Sequence, residues 1–426
     1  MELWILFGTF TFLLLIGTPV AFCLGTASFA TIVYLGLPPV VVFQRLNSGV
    51  SVFALMAIPF FIFAGELMVR GDIARRLVAL AESMVGHFHG GLGQVNISAS
   101  LLFGGISGSA AADASAIGGL MIPQMKERGY DVDYGVNITV TSAIIALMIP
   151  PSHNMIIYSI SAGGKISIAD LFTAGILPGI VLGLSLMVAA WYVAKKRNYP
   201  TETFKGWGNV GRIFINSAPG LMLILIIFGG VRSGIFTASE SSCIAVVYAI
   251  FVTVLVYRFL DWEGFFAAAM AAVRTTAMVL MVIGCAASFG WLLAYLRVPA
   301  ELVNFMRQLS DNPYVILLLM NVVLLILGTF MDMSPLIVIC TPIFLPVATA
   351  FGIDPVHFGV ILILNLGIGL CTPPVGSVLF VGCAVGKISV WETVRTIGPF
   401  YLAAFATLML ATYIPALSLS LPALFH

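Results

Sequence analysis

Apolar residues run along this chain in blocks that are long and evenly apolar, where a soluble protein would alternate them with polar positions. A helix needs roughly 20 such residues to cross a bilayer. Blocks of this kind lie near residues 3–20, 21–37, 51–69, 135–163, 170–194, 217–232, 239–258, 266–296, 356–386 and 394–418. The first begins at Leu3, behind Glu2 and without a basic segment, so it reads as a membrane span and not as a cleaved signal peptide. Two further blocks, 92–125 and 313–350, are too long for one span, and small or polar residues interrupt each midway. A re-entrant hairpin that enters and leaves on the same side accounts for both. Ahead of each hairpin the pattern changes. Arg70–His89, with Arg75, Arg76 and Glu82 between helically spaced apolar residues, and Arg297–Asp311 read as amphipathic helices lying in the interface.

Composition agrees with lipid as the solvent. Of 426 residues, 60% are hydrophobic and 9% charged, too few charges to cover a soluble surface. The net charge of +1 supplies no basic field for nucleic acid. Cys23, Cys243, Cys285, Cys340, Cys371 and Cys383 all sit in apolar runs, spaced neither as metal ligands nor as a disulfide framework. With the N-terminus outside, 14 Lys and Arg residues (Lys205 among them) fall on one side and 5 on the other, which makes the first side cytoplasmic. The first hairpin then opens from the cytoplasm and the second from outside.

A shift of 223 residues superposes two halves of the chain: Gly105 on Gly328, Pro123 on Pro346, Gly129 on Gly352, Asp131 on Asp354, and Pro150-Pro151 on Pro373-Pro374. One residue of slip later, Gly164-Lys165-Ile166-Ser167 falls on Gly386-Lys387-Ile388-Ser389. The topology puts the halves in opposite orientations, and inverted repeats with discontinuous helices mark secondary transporters. The expected fold is therefore an all-α polytopic membrane protein with two inverted repeats, each carrying a re-entrant helical hairpin and a discontinuous helix. Ser167-x-x-Asp170 and Ser389-x-x-Glu392 read as capping boxes, Glu240 as a helix-start cap, and Lys165 and Lys387 as interfacial anchors.

Chemistry concentrates at the interruptions. The first tip, Gly104 to Asp113, has glycines that break a helix and serines that can cap the returning one. The second runs from Gly328 to Pro335, with Ser334-Pro335 read as an N-cap followed by proline at the first helical position. Both tips should aim a helix N-terminus into the protein near mid-membrane, where free N–H groups favour anions. Opposite them, the prolines of Met148–Asn154 and Cys371–Ser377 remove N–H donors and free upstream carbonyls. Such carbonyls, with Ser, Thr and Asn oxygens, suit a hard monovalent cation such as sodium. Asp113 and Asp332 carry charge at membrane depth, where ionisable groups are functional by default. Gly105-Ile106-Ser107-Gly108 also matches a pattern of intramembrane serine proteases, with His153 as base, and a passive anion channel is a third reading. A primary pump is disfavoured, since no G-x-x-x-x-G-K-[ST] phosphate loop is present.

At these motifs the chain resembles the large membrane subunit of tripartite ATP-independent periplasmic (TRAP) transporters. The resemblance covers nearly the whole chain. It is carried by Ile58–Met68 (IPFFIFAGELM), the first tip, the Pro-Pro segment, and Asp354–Gly359 (DPVHFG) continuing through Asn365-Leu366 to Thr372–Gly376 (TPPVG). Ser239–Ser242 departs from the family's Pro-Thr-Glu-Ala-like residues. The resemblance implies an elevator-type, sodium-driven importer of organic acids (C4-dicarboxylates, sugar acids, sialic acid) in the bacterial inner membrane. It further implies a small four-helix membrane subunit as partner and a periplasmic binding protein that delivers substrate. The chain starts close to its first span, so the small subunit is expected to be separate. One sodium site is expected at Ser107, Gly108, Ser109, Pro150 and Asn154, and a second at Gly328, Thr329, Asp332, Thr372, Pro373 and Gly376. Substrate would lie between them, against Ser107, Asp113, His153, Asn154, Met333, Ser334 and Ser377. Scaffold spans are expected in 1–69 and 164–296, arm helices in 70–91 and 297–312, the transport domain in 92–163 and 313–386, and a last span in 387–426.

Overall fold

The computed structural model describes residues 1–201, 203–204 and 206–424. Lys205 of the charge count and the last two residues of the 387–426 segment lie outside the described residues. The chain opens with α1 (Glu2–Leu15), α2 (Val20–Tyr34) and α3 (Val40–Val50). A 3-10 turn at Phe53–Met56 leads into α4 (Ala57–Arg70). Next comes α5 (Ile73–Val85), the first expected arm, which buries Ile73, Leu77 and Leu80 while Arg75 faces outward. The first hairpin is α6 (Gly91–Ser107) and α7 (Ala110–Glu127). The first broken span follows as α8 (Val132–Ser142), α9 (Ile145–Met148) and α10 (His153–Ser161), bent by 52° at the break. Then come α11 (Ile168–Lys196), α12 (Trp207–Arg232), α13 (Ala238–Ile250), which runs into a π-helical turn at Phe251–Val256, and α14 (Trp262–Tyr295).

The order then repeats. The second arm is α15 (Val298–Leu309), the second hairpin α16 (Pro313–Phe330) and α17 (Met333–Ala350), and the second broken span α18 (Pro355–Gly369) and α19 (Ser377–Gly386). The chain closes with α20 (Val390–Thr396), α21 (Gly398–Tyr413) and α22 (Ala416–Leu424). The 223-residue shift carries the bounds of α7 onto those of α17. It also brings Gly129, φ +81°, onto Gly352, φ +75°, and both Pro-Pro peptide bonds are cis.

Several local expectations are corrected. The block at 217–232 belongs to a longer helix, because the less apolar stretch from Trp207 to Asn216 continues the same turns. The block at 394–418 is not one helix: Gly398 opens α21, Pro415 ends it, and α22 leaves at 60°. Ser389 and Glu392 form a full capping box, as do Thr237 and Glu240. Ser167 caps the Asp170 N–H, but the Asp170 carboxylate pairs instead with Arg232 at 3.0 Å. The N-cap of α17 is Asp332, and Pro335 sits in its third turn position, not its first.

Packing divides the helices. α2, α3 and α4 pack on α14, and α13 joins α4 to α12. The hairpins and broken spans pack among themselves: α7 on α8 and α19, α16 and α17 on α18, α10 on α17. Although the sequence pattern grouped α11 with the scaffold, it packs on α6, α9, α18, α21 and α22, and only thinly on α12. Its small residues make this possible: a Cβ on Gly183 would sit 2.9 Å from the Leu101 side chain of α6. The arms bridge the two groups, α5 from α12 to α6 and α15 from α14 to α17.

Candidate functional site

Each tip is a helix end folded against a proline break. In the first, α6 stops at Ser107 because Gly108 takes φ +57°, a left-handed turn that closes helices and favours glycine. Ser109 restarts the chain as N-cap of α7, its Oγ accepting from the Ala112 N–H at 3.4 Å. A Cβ on Gly108 would lie 2.5 Å from the Pro151 carbonyl oxygen, so tip and break are in backbone contact. Around that contact the hydroxyls of Ser107 and Ser152 are buried and have no hydrogen-bond partner. Buried polar atoms are nearly always satisfied, so an orphan hydroxyl on the tip and another on the break leave oxygens that a ligand could use. Ser152 was not singled out in the sequence; its signal was its place directly after Pro151.

The second tip repeats the arrangement. Val375 donates its N–H to the Thr329 carbonyl at 3.0 Å, and a Cβ on Gly369 would come within 2.7 Å of Gly328 Cα. Ser377 Oγ donates to Asp332 Oδ1 at 3.2 Å. The hydroxyls of Thr329 and Thr372 donate to Ile326 and Ile368 carbonyls, which leaves their oxygens free to accept. Gly376 takes φ +38° beside Pro373-Pro374. The two tips also meet each other's partners: Ser334 Oγ of the second tip donates to Asn154 Oδ1 of the first broken span at 3.4 Å.

Between the tips lies a cavity of about 710 Å³, within the range of small-molecule sites. One wall is Ser107, Ser109, Ala111, Ala112 and His153. A second is Asp332, Ser334 and Pro335. The third belongs to other helices: Pro19 to Phe22 ahead of and within α2, Ile62, Gly65 and Glu66 of α4, and Thr275, Ala277 to Val279, Met281 and Val282 of α14. Sequence reasoning missed this third wall, although Glu66, a carboxylate in an apolar span, was a signal of the kind that marks intramembrane function. Glu66 lies 3.7 Å from Arg70 one turn on. Among the described residues no Lys or Arg lines the cavity.

Four expected substrate residues do not line the cavity: Asn154 and Ser377, which bond Ser334 and Asp332 of its wall, and Met333 and Asp113. Met333 is buried behind the second tip and does not reach the cavity. Asp113 is fully buried, and it turns into the hairpin body, where its Oδ2 accepts from Ser100 Oγ at 2.7 Å. The protease reading needs a Ser107–His153 hydrogen bond, and Ser107 Oγ makes none.

Two inverted repeats whose hairpins and broken spans close on one cavity make this a multi-pass membrane transporter, not an enzyme. Residues 7–417 match the family model described as tripartite ATP-independent periplasmic transporter, DctM component, and the chain belongs to that family. It is 46% identical over 426 residues to the uncharacterized protein YgiK of Salmonella typhimurium, covering 99% of this chain and 97% of that one. It is 40% identical over 389 residues to the sialic acid TRAP transporter large permease protein SiaM of Vibrio cholerae, covering 90% and 89%. Among solved structures, the YdaH transporter of Alcanivorax borkumensis superposes with a TM-score of 0.63 over 87% of each chain at 14% identity, a likeness of fold. Membership implies secondary transport of organic acids together with a small membrane subunit and a periplasmic binding protein.

Proposed function

We propose that the chain imports an organic acid against its gradient by coupling it to sodium, and that the hairpins and broken spans move as one body against the scaffold. The observation that carries the coupling is the pair of orphan hydroxyls, Ser107 and Ser152, where the first tip meets the first break. Carbonyls freed by the prolines would complete a shell of hard, mostly uncharged oxygen ligands. The first sodium would be held by Ser107, Gly108, Ser109, Pro150 and Asn154, with Ser152 added, and the second by Gly328, Thr329, Asp332, Thr372, Pro373 and Gly376.

The substrate would occupy the cavity with its carboxylate toward the N-termini of α7 and α17, whose first turns supply Ala111, Ala112, Ser334 and Pro335 to the wall. Ser107, His153 and Ser334 remain as contacts from the expected set, while Asn154 and Ser377 act through Ser334 and Asp332. Sialic acid, named for the Vibrio cholerae relative, is such a hydroxylated carboxylate. The moving body comprises α6–α11 and α16–α22, and α1–α4 with α12–α14 form the scaffold. By the positive-inside assignment the third-wall residues of α2 and α4 lie toward the cytoplasm, and those of α14 near its middle. In this reading the cavity faces the cytoplasm, with the protein in the bacterial inner membrane.

The test is uptake into proteoliposomes holding this chain and its small partner, with and without binding protein, over a panel of radiolabelled organic acids. Uptake should need both an inward sodium gradient and the binding protein. Ser107→Ala and Thr372→Ala should each lower sodium-driven uptake; normal sodium dependence in both would remove those assignments. Uptake without a sodium gradient would replace sodium coupling by proton coupling or passive flow.

A further inference from the structure

Asp113 is the one fully buried carboxylate among the described residues, and the cavity does not use it. It sits in the first turn of α7. Its Oδ2 accepts from Ser100 Oγ at 2.7 Å, while Oδ1 has no partner. Ser100 Oγ lies 3.1 Å from Ser142 Oγ. Ser142 Oγ in turn donates to Asn96 Oδ1 at 3.3 Å, and Asn96 Nδ2 donates to Thr139 Oγ1 at 2.8 Å. All five residues are buried. Hydroxyl and amide groups of α6 and α8 thus form a hydrogen-bonded chain that ends on the Asp113 carboxylate of α7.

Among the described residues no base answers its charge. Of the helices packed on α7, the helices α6, α8, α9 and α19 contain no Lys, Arg or His. On α5, Arg75 and Arg76 pair with Asp72, and Glu82 holds Arg128 beyond the far end of α7. Lys126 is at that same far end. An ionised carboxylate taken from water costs several kcal/mol unless a charge accompanies it, and Ser100 supplies only a dipole. The second repeat sharpens the contrast. Under the 223-residue shift Asn365 replaces Ser142 and bonds Asn321 at 2.7 Å, but Leu336 stands where Asp113 would be. Both repeats therefore tie the hairpin to the broken span through buried polar groups, and only the first adds a charge.

We propose that Asp113, Ser100, Ser142 and Asn96 form a further sodium site, inside the first hairpin body and separate from the two sodium sites proposed above. Asp113 supplies the compensating charge through Oδ1, and the two hydroxyls and the amide oxygen supply the other ligands. A proton would need a single acceptor; a carboxylate on α7 linked to uncharged oxygens from α6 and α8 fits a coordinated cation better. Bound there, the ion joins α7 to α6 and α8 and holds the hairpin closed on the broken span.

The proposal rests on the reading above that sodium drives this transporter. Sodium binding to the purified chain in detergent is measured by equilibrium dialysis with radioactive sodium and by sodium-dependent thermal stabilisation, with choline holding ionic strength constant. Asp113→Asn should bind about one sodium ion fewer per chain, the counter-charge of one carboxylate. Ser142→Ala should weaken binding of that ion about tenfold, the effect of one lost contact to a charged group. Ser107→Ala should remove a different ion, so the Asp113→Asn/Ser107→Ala double variant loses both. Sodium binding by wild type with unchanged number and affinity in Asp113→Asn overturns this site alone. Absence of any sodium binding by wild type overturns the coupling reading as well. Stabilisation by acid in place of sodium makes Asp113 a proton site and overturns the proposal. Should Asp113→Asn elute aggregated, Ser142→Ala decides, and its wild-type affinity would overturn the proposal.

Discussion

Gly108 shows how much one backbone position carries. Its φ of +57° disfavours any side chain, and the Pro151 carbonyl occupies the place a Cβ would take. Gly108→Ala should cost about 1–2 kcal/mol from left-handed backbone alone, and the contact with Pro151 adds to that. We expect a clear fall in melting temperature and loss of uptake. Gly129→Ala, φ +81° with open space around it, is the control: it should carry the backbone penalty and still transport. The tip residues Ser107 to Ser109 were legible in the sequence because glycine and serine interrupt an otherwise apolar helix. Two neighbours were not. Ser334 and Asp332 are both capping residues two positions apart, and only the extended backbone of Asp332, ψ 158°, decides between them. Asp113 read as a cavity residue because its distance from the tip was known but its direction around α7 was not.

Among the elements, the two broken spans begin alike and are fastened differently. Asp354 caps α18 through the N–H groups of Val356 at 2.7 Å and His357 at 3.2 Å. Asp131, its repeat mate, makes no cap; it accepts from Arg197 at 3.0 Å and from the Tyr199 hydroxyl at 2.7 Å, which clasps α8 to the end of α11. Asp354→Ala should therefore lower stability by about 1 kcal/mol, the worth of an N-cap. Asp131→Ala should cost less, because Arg197 keeps Asp133 at 2.8 Å and exposed pairs contribute under about 1 kcal/mol. Paired melting curves distinguish them, and a larger loss in Asp131→Ala would reverse the assignment. The hairpins, arms and breaks were readable because period and interruption are local properties. The company α11 keeps was not: hydropathy says that a helix crosses the membrane, and only the complementary surfaces of Gly183 and Leu101 say against what.

For the whole molecule, the Asp170–Arg232 pair joins α11 of the proposed moving body to α12 of the scaffold. In a cysteine-free background, Asp170→Cys and Arg232→Cys bridged by a short bifunctional thiol reagent should stop uptake, and a reductant should restore it. Full uptake in the bridged protein would mean that α11 and α12 do not move against each other. The repeat itself was legible from Gly105 to Ser167 against Gly328 to Ser389, whereas the cavity's third wall required three distant helices to be seen together. That cavity is lopsided: hydroxyls, helix ends and Asp332 come from the hairpins and breaks, and the opposite wall is mostly aliphatic apart from Glu66 and Thr275. Under the proposed movement of the hairpins and breaks against the scaffold, a cargo gripped from that side alone would keep the same grip in either compartment. Its intrinsic affinity then has no preferred side of the membrane, and the direction of net flux is left to the gradients of whatever ions travel with it.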